Sequence, residues 1–336
     1  MWIIKLMRQL AQKALVLALL ACGGMGVQAQ AQTSPSTAYP NKPVRLIVGF
    51  APAGAADYVA RTVGESLGRA LGQTIIIENR AGAGSSIAAE AVAKAAPDGY
   101  TLLIASPSSI SVNPALNPKL GYAPKDLLPV GKLTSSPLVI AVNPATGITS
   151  VSDLIARAKK APSSLNYASS GNGSAPHLGA ALFSQVAGIQ MQHIPFKGGA
   201  PAIQSVIAGD TQLTFGTPPS VLPMVQAGRL KGLAVSAKER SPLVPDLPGM
   251  AEAGLPAYGI EFWYGFFVPA GTPPAIVKRL FDATTQALQQ PSVKAALARE
   301  GTEVALSSSP EAFAAFLADD AKFWVKLVKD AEVRAE

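Results

Sequence analysis

Between Asn41 and Lys329, short runs of apolar, often β-branched residues alternate with stretches whose apolar positions recur every three or four residues. The first pattern marks strands covered on both faces, and the second marks amphipathic helices. Strands are predicted at Val44–Val48, Thr74–Ile77 and Thr101–Ala105, with helices at Ala55–Leu71 and Ser86–Ala96 between them. The polar, proline-rich stretch Ser106–Pro129 reads as loop with short helical turns. A strand at Leu138–Val142 restarts the alternation. Helices follow at Ser150–Lys160, Ser174–Ala187, Ala200–Ala208 and Ser220–Ala227, with strands at Leu165–Ala168, Gln190–Ile194, Gln212–Phe215 and Leu230–Val235. Tyr258–Val268 is a strongly apolar strand. Pro273 and Pro274 open a helix, where a missing N–H costs nothing, and Pro310–Lys329 is the last helix.

This pattern predicts an α/β protein of two lobes, with mainly parallel sheets flanked by helices. A leader over 1–31 precedes a first domain made of 32–139 and 261–336. A second domain, 140–260, is inserted and joined by two crossover strands near Leu138–Pro144 and Glu261–Val268. Two lobes joined in this way form a hinged clamshell.

Four loops share one design, a strand followed by small residues and then a helix. They are Ala51–Asp57, Arg80–Ser86, Ser169–Ser174 with His177 just beyond, and Phe196–Ala200. The first N–H groups of a helix have no partner inside it, and the aligned peptide dipoles add roughly half a positive charge at that end. Such ends bind anions without basic side chains. In open α/β sheets, ligands sit beyond the carboxyl ends of the strands, where all four loops fall. The first loop lacks the Lys and Ser/Thr of a nucleotide-binding loop, so a carboxylate suits it better than a triphosphate. A branched side chain at Gly54 or Gly82 is expected to fill the anion's place and leave the fold intact.

Composition narrows the function further. Lys5, Arg8 and Lys13 precede the apolar run Ala14–Leu20, and Ala29-Gln30-Ala31 fits a small-x-small cleavage site, which places the cut before Gln32. This is an export signal to the periplasm. Cys22, the only cysteine, lies inside it, so the mature chain has no disulfide and no thiol chemistry. Leu19-Leu20-Ala21-Cys22 is close to a lipoprotein box, which leaves lipid anchoring as the competing reading. Removing the leader leaves 25 basic against 21 acidic residues, a balance of +4 with no basic run, which excludes nucleic acid as a partner class. No G-x-S-x-G elbow, zinc helix or complete dinucleotide fingerprint occurs, and only His177 and His193 are available as histidines. No cofactor and no metal are expected. The enzymatic alternative is an exported α/β hydrolase working through Ser170 or Ser174 with His177, for which no acid partner is placed.

Several segments, in order, resemble the extracytoplasmic receptors of tripartite tricarboxylate transporters, the Bug receptors. They are YPNKPVRLIV at 39–48, ENRAGAG at 78–84, PDGYTLL at 97–103, HIPFKGG at 193–199, PDLPGMAEAGLP at 245–256 and VPAGTPP at 268–274. The resemblance implies a type II periplasmic binding-protein fold, a small carboxylate ligand and delivery to the large and small membrane subunits of a transporter. A ligand-sensing receptor for a membrane sensor is the alternative role, and the chain is expected to be a monomer. The candidate ligand-binding set, in part implied by the resemblance, begins with Phe50, Pro52, Ala53, Gly54, Ala55 and Asp57 in the first loop, and Gly82, Ala83, Gly84 and Ser85 in the second. Ser106 follows the third strand. Ser170, Gly171, Gly173, Ser174 and His177 belong to the third loop, and Lys197, Gly198 and Gly199 to the fourth. The family's first loop reads Pro-Gly-Gly where this chain has Pro52-Ala53-Gly54, and its second loop often has Gly at the place of Ser85.

Overall fold

The computed structural model describes Trp2, residues 39–117 and residues 119–330. The leader's cleavage site and Cys22 lie outside the described residues. The described residues from Pro40 onward form one compact unit.

Within it, the chain builds two sheets. In the first, β1 (Val44–Val48) is flanked in parallel by β2 (Ile75–Asn79) and β3 (Thr101–Ala105). Each return runs through a helix, α1 (Ala55–Leu71) and then α2 (Ser86–Ala93), and a helical crossover keeps successive strands parallel. Val59, Val63 and Leu67 recur every fourth residue on α1 and are fully buried. Gly72 ends this helix at φ 72°, where its N–H meets the carbonyls of Arg69 and Gly68. The predicted bounds of β1, α1 and β3 match these elements.

The segment predicted as loop, Ser106–Pro129, contains more structure. It holds a five-residue π turn, Ser108–Val112, a short helix α3 (Asn113–Leu116) and a 3-10 turn, Pro124–Asp126. It then enters β4 (Leu127–Pro137), a strand that crosses Pro129 and Gly131. Proline lacks a ladder N–H and glycine weakens strands, which hid β4 in the sequence. Two irregularities in β4 itself accommodate them: β10 (Glu261–Pro269) pairs antiparallel with it, and the register shifts at Tyr264/Gly265 and Phe266/Phe267 leave Leu133 and Val130 of β4 without an opposite residue. β10 also pairs antiparallel with β3, and β11 (Glu303–Val304) edges β4, giving the order β11-β4-β10-β3-β1-β2.

After Leu138 the chain enters β5 (Val139–Val142) of the second sheet, order β7-β6-β8-β5-β9. β6 (Asn166–Ser169) pairs in parallel with β7 (Gln192–Pro195) and β8 (Leu213–Gly216), while β5 runs antiparallel to β8 and to β9 (Lys231–Val235). The sheets are therefore mixed. Strands that carry the predicted loops pair in parallel, and those that cross between lobes run the other way. Helices α4 (Val151–Lys160), α5 (Ala175–Ala187), α6 (Gly199–Ala208) and α7 (Pro218–Gln226) flank this sheet. Ser150 caps α4 by accepting the Asp153 N–H. α8 (Pro274–Gln289), α9 (Pro291–Arg299) and α10 (Pro310–Asp330) return to the first lobe.

Each lobe has its own core. Ile47, Leu103, Trp263, Phe267 and Phe313 centre the first, and Val139, Ala168, Val206, Val221 and Val235 the second. On α10, Phe313 and Trp324 are core, whereas Phe316 and Phe323 are exposed. The lobes meet at a polar knot: the buried Ser236 hydroxyl accepts the Leu138 N–H and donates to the Ile260 carbonyl, both at 2.6 Å.

Candidate functional site

The first loop leaves β1 at Gly49 and Phe50 and reaches α1 at Ala55. Asp57 shapes it from within. One carboxylate oxygen accepts the Ala53 N–H (3.0 Å) and Arg61 Nε (2.9 Å), and the other accepts Arg61 Nη2 and Asn79 Nδ2. Burial would raise the Asp57 pKa, but hydrogen bonds from Arg61, Asn79 and Ala53 outweigh it and hold the carboxyl below its ordinary value. Its capacity as an acceptor is spent on Ala53, Arg61 and Asn79.

The second loop is conformationally unusual. Gly82, Ala83, Gly84 and Ser85 hold φ of 136°, 45°, 57° and 77° in succession. Ala53 in the first loop holds φ 60°. For a residue with a Cβ, this region costs roughly 1–2 kcal/mol. Ala53 and Ser85 stand where the resembling family carries Gly, and the observed φ explains that preference. Strain of this kind gathers where a backbone must face a ligand.

The third loop is braced by two histidines. His177 Nδ1 accepts the Gly173 N–H at 3.1 Å, and its ring stacks on His193 at 3.8 Å between centroids. His193 Nε2 lies 2.5 Å from Ser169 Oγ, which also accepts the Gly171 N–H. Burial, with a smaller contribution from His193, pushes the His177 pKa down to about 3, so its ring is neutral. The Ser174 hydroxyl is buried without a hydrogen-bond partner among the described residues, so it forms no Ser–His pair with His177. In the fourth loop, Gly198 packs against the first: a Cβ on it would stand 2.9 Å from the Ala51 Cβ.

The four loops face one another across the two lobes. A Cβ on Gly54 would stand 3.6 Å from the Gly199 N, and one on Gly84 would collide with the Asn172 carbonyl. Between them lie two chambers. The inner one, about 20 Å³, is lined by Phe50, Gly54 and Ala55 from the first loop, Ser170, Ala175 and Pro176 from the third, and Gly199 from the fourth. Thr214, Thr217, Ser220, Phe262 and Tyr264 are also in its wall, so the amino ends of α1, α5, α6 and α7 all reach this chamber. The outer chamber, about 280 Å³, is lined by Phe50, Gly82 to Ser85, Ser170, Gly171, Phe196 and Lys197. Lys197 is exposed there, whereas Arg80 pairs with Glu78 at 2.6 Å.

Of the sequence-derived set, Phe50, Gly54, Ala55, Gly82, Ala83, Gly84, Ser85, Ser170, Gly171, Lys197 and Gly199 line one chamber or the other. Pro52 and Ala53 lie exposed on the first loop. Asp57, Gly173, His177 and Gly198 stand behind the walls as supports. The hydroxyls of Ser85, Ser106 and Ser174 are buried without a partner among the described residues. Sequence reasoning did not name Thr217, Ser220, Phe262 or Tyr264. A signal existed for the first two: Gly216-Thr217-Pro218 repeats the strand–loop–helix design, with proline opening the helix.

A two-lobed α/β clamshell with crossing hinge strands and facing helix ends is a periplasmic binding-protein fold. A family model described as the tripartite tricarboxylate transporter family receptor, TctC, matches residues 59–333. Protein BugT of Bordetella pertussis is 35% identical over 316 residues, 93% of this chain and 97% of that one. Two solved structures are similar throughout. R. palustris Rpa4515 with adipate is 34% identical with a TM-score of 0.84, covering 88% of this chain and 99% of that one. MatC from Rhodopseudomonas palustris with bound malate is 32% identical with a TM-score of 0.81, covering 86% and 100%. The chain belongs to the tripartite tricarboxylate transporter receptor family, whose members are periplasmic binding receptors and not enzymes.

Proposed function

We propose that this chain is an exported receptor that captures a small carboxylate between its lobes and delivers it to the large and small membrane subunits of a tripartite tricarboxylate-type transporter. The observation that carries this reading is the meeting of four helix amino ends, from both lobes, at one chamber. Each end bears roughly half a positive charge, so bringing them together without a counter-charge is unfavourable. An anion between them reverses that sign and makes closure favourable, because only the closed state touches it from both sides. The adipate and malate held by the two solved relatives support a carboxylate as that anion. The first-loop and second-loop backbone, with Ser170, Gly171 and Gly199 opposite, is the proposed grip. Export by the leader, division into 32–139 with 261–336 and 140–260, and action as a monomer belong to the same reading.

Each charge-assisted hydrogen bond contributes about 1.5–3 kcal/mol, so a few of them reach micromolar affinity, about −8 kcal/mol. Calorimetry with a panel of mono- and dicarboxylates including malate and adipate is expected to find at least one micromolar ligand. A panel without binding at millimolar concentration overturns the reading. Gly54→Val is the clean occluding variant. Gly54 has φ −92°, which any residue adopts, and its Cβ position makes only ordinary contacts. It is expected to lose at least 100-fold in affinity with an unchanged circular dichroism spectrum. Gly82→Val, expected from sequence to serve equally, does not: φ 136° is reserved for glycine, and a Cβ there stands 2.7 Å from Ile87 Cδ1.

A further inference from the structure

The second loop is a thin wall. On its other side lies a separate cavity of about 260 Å³, lined by Ala83, Ser86, Asn113, Leu116 and Asn172. Of the loop's residues only Ala83 faces both spaces, while Gly84 and Ser85 are buried. All four of its residues hold left-handed φ, two of them against the preference of a side chain. The side chain that holds them is Asn113, the first residue of α3, which is 7% exposed. The two hydrogens on its Nδ2 serve the Gly84 carbonyl at 2.8 Å and the Ser86 hydroxyl at 2.8 Å, and the Ala83 carbonyl at 3.2 Å shares one of them.

A trans peptide points its N–H opposite to its C=O. Fixing the Ala83 carbonyl on Asn113 therefore turns the Gly84 N–H the other way, toward the second lobe. There the Gly84 N lies 3.8 Å from the position of a Cβ on Gly171. Asn113 also touches that lobe directly, since a Cβ on Gly173 would collide with its Oδ1. Gly84 and Gly173, one from each lobe, thus close on the two ends of a single amide.

We propose that Asn113 is a positioning residue that fixes the left-handed second loop and couples its shape to closure of the lobes. The coupling to ligand rests on the carboxylate-receptor reading; the fixing of the loop does not. Asn113→Asp preserves shape and sets an acceptor where the donor stood. In the ligand-free full chain, amide hydrogen exchange over 83–86 and 171–174 is expected to quicken at least tenfold, with α1 unchanged. Equal exchange over 83–86 in variant and wild type overturns the proposal. Any carboxylate that binds wild type is expected to bind the variant at least tenfold more weakly, with faster dissociation; equal affinity overturns the coupling. If no carboxylate binds wild type, the receptor reading fails and the exchange comparison still decides the role of Asn113. Should Asn113→Asp not fold, Asn113→Ser, too short to reach the carbonyls, carries the same comparisons.

Discussion

Ala53 shows how one residue adjusts a binding loop. Its φ of 60° suits glycine, and its N–H is held by Asp57. An alanine there retains strain that a glycine would release, partly offset by the larger entropy glycine loses on folding. Ala53→Gly is therefore expected to stabilise the protein by up to about 1 kcal/mol, read as a rise in the urea midpoint. An unchanged or lowered midpoint would mean the loop relaxes without cost. Because Ala53 is exposed on the loop, the substitution tests backbone strain apart from core packing.

Among elements, the crossing strands govern the hinge. β4 and β5 run almost without interruption from one sheet into the other, and the chain returns through Ser236 and Ile260 into β10. Main-chain bonds from Ser236 N to Leu138 O and from Ile260 N to Ser236 O tie these segments, and the Ser236 hydroxyl adds two more. Its loss would leave a buried Leu138 N–H unpaired, at about 1–3 kcal/mol. Ser236→Ala is expected to lower stability by that amount in denaturant titration and to broaden the distribution of interlobe distances seen by double electron–electron resonance. A variant as stable as wild type would show that the knot contributes nothing to the hinge.

For the whole molecule, acid is the informative perturbation. His177 has its pKa lowered to about 3 in the folded protein, against 6.5 when unfolded. Between those values the unfolded chain binds the extra proton, so stability falls as pH falls through this window and levels out below it. The Asp57 carboxyl, depressed in the fold, also contributes stability above its unfolded pKa that is lost on further acidification. His177→Gln, which keeps an acceptor for Gly173, is expected to remove on the order of a few kcal/mol of acid destabilisation between pH 6.5 and 3. Unfolding curves at several pH values measure it, and parallel pH profiles for variant and wild type would contradict the assignment.

The local alternation of apolar runs and amphipathic stretches set the order of strands and helices, because burial on a strand face or helix stripe is written in the spacing of a few neighbours. β1, α1 and β3 were readable to the residue, and so were the small-residue loops that follow strands. β4 was not, because its Pro129, Gly131 and two register shifts are accommodated only by pairing with β10, some 130 residues away, which local pattern cannot show. The same holds for Tyr264 and Phe262, which reach the inner chamber from a strand that reads as pure core. Asp57 and His177 look like ligand groups in sequence, yet folding turns them onto their own loops, because a buried polar side chain takes the nearest unpaired partner. Which helix ends meet, and that Asn113 stands between Gly84 and Gly173, followed from the packing of one lobe on the other.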